Sequence, residues 1–148
     1  MKAVSRSVVI GASPAQVWGI LSQFDKIAEW APNVDHSCCL TRPLSGMSAA
    51  RRVQLGRMVL VERIFEWETD SHLSYRIEGL PEKLGVVTNT WSLAPKADRT
   101  EVTLTTNVDV GSRPPQRLIE AAVARKLASA SDELLAGLAN ECGQRGSN

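Results

Sequence analysis

The sequence predicts an α+β fold: a curved antiparallel sheet of seven strands wrapped around one long C-terminal helix, with two short helices after the first strand. Three observations lead there. Seven short apolar or alternating runs are set apart by turn residues, among them Gly56, Asp70-Ser71, Pro81, and Pro95 with Asp98. Six of these runs follow one another as a meander. After Pro114-Pro115, residues Leu118, Ile119, Ala122, Val123, Leu127, Ala130, Leu134 and Leu138 recur at helical spacing.

In chain order, residues 2–10 alternate weakly and end in Val8-Val9-Ile10, as a strand passing from edge to core would. Ser13 is placed to cap a helix that begins at Pro14, where the missing proline N–H costs nothing. Val17, Trp18 and Leu21 give that helix its apolar face. A second short helical piece, residues 24–30, stops at Pro32. Strands are expected over 34–41, 49–55, 58–69, 72–79, 86–94 and 100–110, with a Pro43/Gly46 turn after the first of them. The last helix spans 114 to about 142, leaving 143–148 as a loose tail and an ordered core of about 2–142. A length of 148 residues fits one domain, 1–148.

Turn chemistry fixes the expected register. A two-residue turn at Gly56-Arg57 sets Leu55 opposite Met58, Val53 opposite Leu60, Arg51 opposite Glu62 and Ala49 opposite Ile64, all on one face. A turn at Asp70-Ser71 pairs Glu68 with Leu73, Glu66 with Tyr75 and Ile64 with Ile77. It puts Phe65 and Trp67 on the opposite, outer face beside Arg76. The last hairpin pairs Leu93 with Val102, Trp91 with Leu104 and Asn89 with Thr106. The side holding Leu60, Glu62, Ile64, Tyr75 and Ile77 carries most of the aliphatic residues, so it is read as concave. The result is an apolar chamber with a few polar groups, the usual make-up of a small-molecule pocket.

Composition narrows the function. The formal net charge of +1, from 17 basic and 16 acidic side chains, gives no electrostatic excess for nucleic acid or an anionic membrane. No apolar run reaches the length of a membrane span, and no signal peptide is recognisable, so a cytoplasmic protein without integral membrane association is expected. Cys38, Cys39 and Cys142 cannot all pair, and none stands at zinc-finger spacing. They read as strand or core thiols, with no metal and no cofactor expected. No phosphate loop or nucleophile elbow is present. His36 shares parity with Val34, Cys38 and Leu40 and could face inward; His72 falls at a hairpin end.

The run IGASPAQVWGILSQFDKIAEWAPNV resembles the N-terminal signature of the START-like (SRPBCC) helix-grip superfamily. That signature is a strand leading into an alanine-proline helix start, a Val-Trp pair and a later Trp-x-Pro. The run ERIFEWETDSHLSYRIEGLP is similar to the central hairpin of the polyketide cyclase/dehydrase and lipid-transport branch. Leu93-Ala94-Pro95 with Arg99-Thr100-Glu101-Val102 fits its last hairpin. The resemblance spans residues 2 to about 140 and implies a seven-stranded sheet gripping the C-terminal helix, with a cavity between them. Relatives bind lipids, sterols, quinones, polyketides or plant hormones, and some cyclise or dehydrate aromatic polyketides. By position, the resemblance places Glu62, Tyr75 and Ile77 at the cavity and Trp30 at its mouth.

Together these readings give a candidate ligand-binding set of Trp30, Arg51, Glu62, Ile64, Tyr75, Ile77, Asn89, Trp91 and Leu104. Glu62 is the candidate catalytic residue, because a carboxylate in an apolar cavity can act as acid or base. Its neighbour Arg51 favours the ionised form, so the pair also reads as a polar anchor or a structural ion pair. A carrier of a small hydrophobic ligand is favoured over a cyclase or dehydratase, and an interaction module with an incidental cavity is the third reading. Phe65 and Trp67 on the outer face predict a weak homodimer through the sheet.

Overall fold

The backbone of residues 2–109 and 114–146, and the side chains of 3–109 and 125–146, are described in a computed structural model. The strands β1 (Lys2–Ile10), β2 (His36–Cys39), β3 (Ala50–Leu55), β4 (Met58–Glu68), β5 (His72–Glu78), β6 (Val86–Lys96) and β7 (Arg99–Asp109) form one sheet. Its order is β1-β7-β6-β5-β4-β3-β2, and every neighbouring pair is antiparallel. Helix α1 (Pro14–Leu21), a 3-10 helix (Phe24–Glu29) and the long helix α2 (Pro114–Gly146) complete the helix-grip architecture.

Local chemistry accounts for these elements. Ser13 caps α1 reciprocally: its hydroxyl accepts from the Gln16 N–H at 3.2 Å, and the Gln16 side chain accepts from the Ser13 N–H at 2.8 Å. Val17, Trp18, Ile20 and Leu21 are then buried against the sheet. Along α2 the buried stripe is Ala128, Ser131, Leu134, Leu135, Leu138 and Cys142, facing β1, β7 and α1. The helix runs past the expected end into the segment read as a tail. Residues 143–146 are exposed there, and Arg145 donates to Glu141 one turn back at 3.0 Å. Leu118, Ile119, Ala122 and Val123 lie outside the described side chains.

The β3–β4 and β6–β7 hairpins have the registers their turns predict. Strand β2 is shorter than expected, and His36, Cys38 and Leu40 point outward and are exposed, so the inward orientation considered for His36 is wrong. Only Ser37 and Cys39 of this strand turn toward the protein. The Ser37 hydroxyl donates to the Asp25 carbonyl at 2.7 Å and accepts from the Ala28 N–H, pinning the 3-10 helix to the sheet.

The β4–β5 hairpin corrects the sequence reading twice. Glu68 pairs with His72, so the loop holds three residues, with Asp70 in the left-handed region at φ 62°. A β-bulge then inserts Phe65 between the Ile64–Tyr75 and Glu66–Ser74 pairs. Each feature shifts the register by one residue. Their sum is two, so Leu60, Glu62, Ile64, Tyr75 and Ile77 stay on the concave face as expected, with Ile64 opposite Tyr75 and Glu62 opposite Ile77. Between turn and bulge the shift is one, and Trp67 changes sides. It is not an outer-face aromatic: it pairs with Leu73 and packs edge-on against Trp18 at 4.9 Å. Phe65 alone remains outside, 44% exposed.

Helix α2 approaches the Trp30–Pro32 segment closely at Gly137. A Cβ there would overlap the Trp30 carbonyl oxygen and lie 2.7 Å from Pro32 Cδ. Helix propensity alone favours alanine at this position by about 1 kcal/mol. Backbone cannot yield as a flexible side chain does, so Gly137→Ala is expected to lower stability by about 1–3 kcal/mol. Chemical denaturation measures this directly, and a stabilised variant would contradict the close approach.

Candidate functional site

The concave face is built in rows that cross the strands. One row is Arg51, Glu62, Ile77, Val87 and Val108 from β3 to β7; the next is Ile64, Tyr75, Asn89 and Thr106. Behind the second row, Leu73, Trp91 and Leu104 belong to the main apolar core with α1 and α2. Val87 and Val108 form a separate apolar cluster with Ile77, Leu80 and Leu127. The polar row of Tyr75, Asn89 and Thr106 runs between the two.

Arg51 is the most constrained group in the site. It is 3% exposed and Glu62 is 7% exposed. Its Nε donates to Glu62 Oε1 at 2.8 Å, and Nη1 donates to the Phe24 carbonyl at 2.8 Å. The guanidinium lies 3.8 Å from the Phe24 ring centre and 4.8 Å from that of Tyr75, giving two cation–π contacts. Nη2 stands 2.7 Å from the same Oε1 in an ion-pair contact, and its second N–H has no acceptor among the described residues. Glu62 Oε2 has no hydrogen-bond partner among the described residues.

A second network starts at Tyr75. Its hydroxyl oxygen accepts from Asn89 Nδ2 at 3.1 Å and from Trp91 Nε1 at 3.3 Å, and Asn89 Oδ1 accepts from the Thr106 hydroxyl at 2.5 Å. Two donors occupy both lone pairs of the phenol, and its own O–H has no acceptor among the described residues. Burial, reinforced by the Glu62 charge, pushes the Tyr75 pKa up against the opposing pull of Arg51, Asn89 and Trp91. The group is therefore a neutral hydrogen-bond donor.

The structure thus brings together Arg51, Glu62, Ile64, Tyr75, Ile77, Asn89, Trp91 and Leu104. Around Ile77 the face loosens locally, although Val87 and Val108 in the same row are 1% and 0% exposed. Tyr75 and Leu73 are each 1% exposed, whereas inward-facing Ile77 and neighbouring Leu80 are only half-buried. Trp30, expected at a mouth, is instead buried against Trp91 at 5.9 Å, beside Gly137. Cys38 is exposed and Cys39 donates locally to the Thr41 carbonyl, so neither reaches the concave face. His72 lies between Glu66 and Glu68 on the hairpin, at 3.7 and 3.4 Å. Among the described residues, no group of His, Cys, Asp and Glu could hold a metal, and no helix is long and apolar enough to cross a membrane. Sequence reasoning missed Phe24, whose ring and carbonyl both meet Arg51 from another element. It also missed Val87 and Val108, which follow from extending the Asn89–Thr106 register by two residues.

Tyr75 is the chain's single tyrosine, so its ionisation can be read without interference. Its raised folded-state pKa contributes stability that is complete below the ordinary phenol value of about 10. That contribution is lost as pH climbs from there through the folded value. Tyrosinate absorbance is expected to appear late and together with loss of near-ultraviolet circular dichroism. A normal titration in a folded protein would show that the phenol is exposed.

Comparison with known proteins places this geometry. The polyketide cyclase / dehydrase and lipid transport family model matches residues 1–143. No curated protein sequence matches significantly. Among solved structures, the Zhui aromatase/cyclase of Streptomyces sp. R1128 is similar at 18% identity and a TM-score of 0.76, covering 97% of this chain and 94% of that one. A Thermobifida fusca protein is 26% identical with a TM-score of 0.75, over 97% and 95% of the two chains. A START superfamily protein of Mycobacterium smegmatis is 18% identical with a TM-score of 0.73, over 96% and 97%. With the sheet, the gripped helix and the match over nearly its whole length, the chain belongs to the polyketide cyclase / dehydrase and lipid transport family.

Proposed function

We propose that this protein is a carrier that binds a small hydrophobic molecule on its concave face. The ligand's apolar body lies against Ile77 and Leu80, the half-buried side chains of this face, and an oxygen of its polar end accepts hydrogen bonds from the interior. One observation supports this above the others: among the described residues, the second N–H of Arg51 Nη2 and the Tyr75 O–H are buried donors without acceptors, close to the half-buried, inward-facing Ile77. An unsatisfied buried donor costs about 1–3 kcal/mol, which a ligand carbonyl or phenolic oxygen recovers. Lipid, polyketide and aromatic ligands all present such an oxygen. Asn89 and Glu62, each 7% exposed, are the other polar groups within reach. The three thiols, all free, suit a reducing compartment such as the cytoplasm.

A cyclase or dehydratase is the second reading, favoured by the free Oε2 of Glu62 and by the resemblance to the Zhui aromatase/cyclase. The ion pair with Arg51 occupies Oε1, so Oε2 is the oxygen that would face a substrate.

Native mass spectrometry of gently purified protein is expected to show a copurifying apolar molecule. The wild type is expected to enhance 1-anilinonaphthalene-8-sulfonate fluorescence in competition with that molecule. Ile77→Trp is expected to abolish probe binding while preserving the far-ultraviolet circular dichroism, because filling a hollow costs less than overpacking a close-packed core. Should the wild type bind no probe and Ile77→Trp unfold it, the concave face is solid and the carrier reading fails in favour of an interaction module. Glu62→Gln separates carrier from enzyme: turnover of an aromatic polyketide would fall about 10²–10⁴-fold if the carboxylate is catalytic. A carrier would show only weakened binding.

A further inference from the structure

The convex face of the sheet carries a groove of about 530 Å³ over β4, β5 and β6, on the opposite side from the concave face. The Phe65 bulge forms part of it. As the extra residue of β4, Phe65 has no cross-strand partner, and its ring is turned outward. Met47, 57% exposed, and Val86, 41% exposed, supply the other apolar walls. The Met47 wall is pinned to the strand: the Ser48 N–H donates to the Ile64 carbonyl at 3.0 Å, and the Ile64 N–H to the Ala49 carbonyl at 2.9 Å.

The charges in this groove are unusual for a solvated surface. Arg63 and Arg76 are direct cross-strand partners, a placement that sets two like charges side by side and costs stability. Glu78 answers Arg63 at 3.6 Å. Arg76 has no hydrogen-bond or ion-pair partner among the described residues. Two guanidiniums and one carboxylate leave a net charge of +1 beside an exposed aromatic ring. A guanidinium fork matches a carboxylate in two-pronged geometry, and an aromatic or aliphatic body fits against Phe65. The groove's volume falls in the range of small-molecule sites.

We infer that this groove is a second binding site, for a small amphipathic organic anion whose carboxylate pairs with Arg76 and whose apolar body covers Phe65. The site is separate from the concave-face ligand and stands whether or not that face is occupied. Arg63 follows Glu62 and Arg76 follows Tyr75, so the same strands line both sites through alternate residues.

The test is an NMR titration of the wild-type protein with 1-naphthoate, with neutral 1-naphthalenemethanol as control. The Met47 methyl and the Thr88 amide are expected to shift with naphthoate, at least tenfold less tightly in Arg76→Gln, and more weakly as sodium chloride rises. Equal shifts with the neutral compound would overturn the proposal. So would shifts confined to the Val108 and Leu127 methyls of the interior, which would leave the carrier reading intact. A dimer that forms with concentration and is lost in Phe65→Ser, seen by sedimentation without any response to naphthoate, would assign the groove to a second copy of the chain. Binding only to phosphatidylglycerol vesicles would assign it to a membrane surface. Either result overturns the small-anion site.

Discussion

One buried positive charge constrains the arrangement around it. A guanidinium taken out of water loses several kcal/mol of solvation unless partners replace what water gave. Arg51 finds those partners on three separate elements: Glu62 on the adjacent strand, the Phe24 carbonyl at the start of the 3-10 helix, and the rings of Phe24 and Tyr75. Each contact holds only in one register of β3 on β4 and one docking of the 3-10 helix. Ser37 secures that docking from the other side through the Asp25 carbonyl. The charge thus acts as a gauge: structures that are wrong by one residue leave it unpaired, at a cost of about 3–5 kcal/mol.

Most of this was legible in the sequence because hairpin chemistry is local. Gly56-Arg57 and the alternation of Val53, Leu55, Leu60 and Ile64 suffice to bring Arg51 and Glu62 together. The last hairpin likewise yields the Asn89–Thr106 pair. What stayed hidden depends on packing between distant elements. The bulge at Phe65 carries no glycine to announce it, and it is favoured by the burial of Trp67 against Trp18, 49 residues earlier in the chain. The family resemblance places Trp30 at the mouth, where the short helices meet the sheet. Its burial is decided by α2, which approaches within backbone contact at Gly137, more than a hundred residues away. No pattern near residue 30 encodes that approach.

Alternation lets the central strands serve two surfaces at once. Glu62, Tyr75 and Ile77 face the concave side, while Arg63, Arg76 and Glu78 face the groove. A substitution on one face is therefore felt through a single peptide unit by the other. The bulge is the exception. It interrupts the alternation where an outward aromatic and an inward tryptophan are both required within three residues.

The pairing of β1 with β7 bears on how the chain reaches this state. Lys2 is matched to Val108 and Ile10 to Thr100, so the first strand made is completed by the last. On a ribosome adding about 5–20 residues per second, β1 waits for roughly 5–20 s before its partner has been synthesised. Through that interval Val8 and Ile10, which belong in the core, have no sheet to join. The meander from β3 to β6 can zip up in sequence meanwhile, since each hairpin closes a short loop. Closure of the β1–β7 pair is then the late, long-range event, and it sets α1, carried on the end of β1, against the finished sheet.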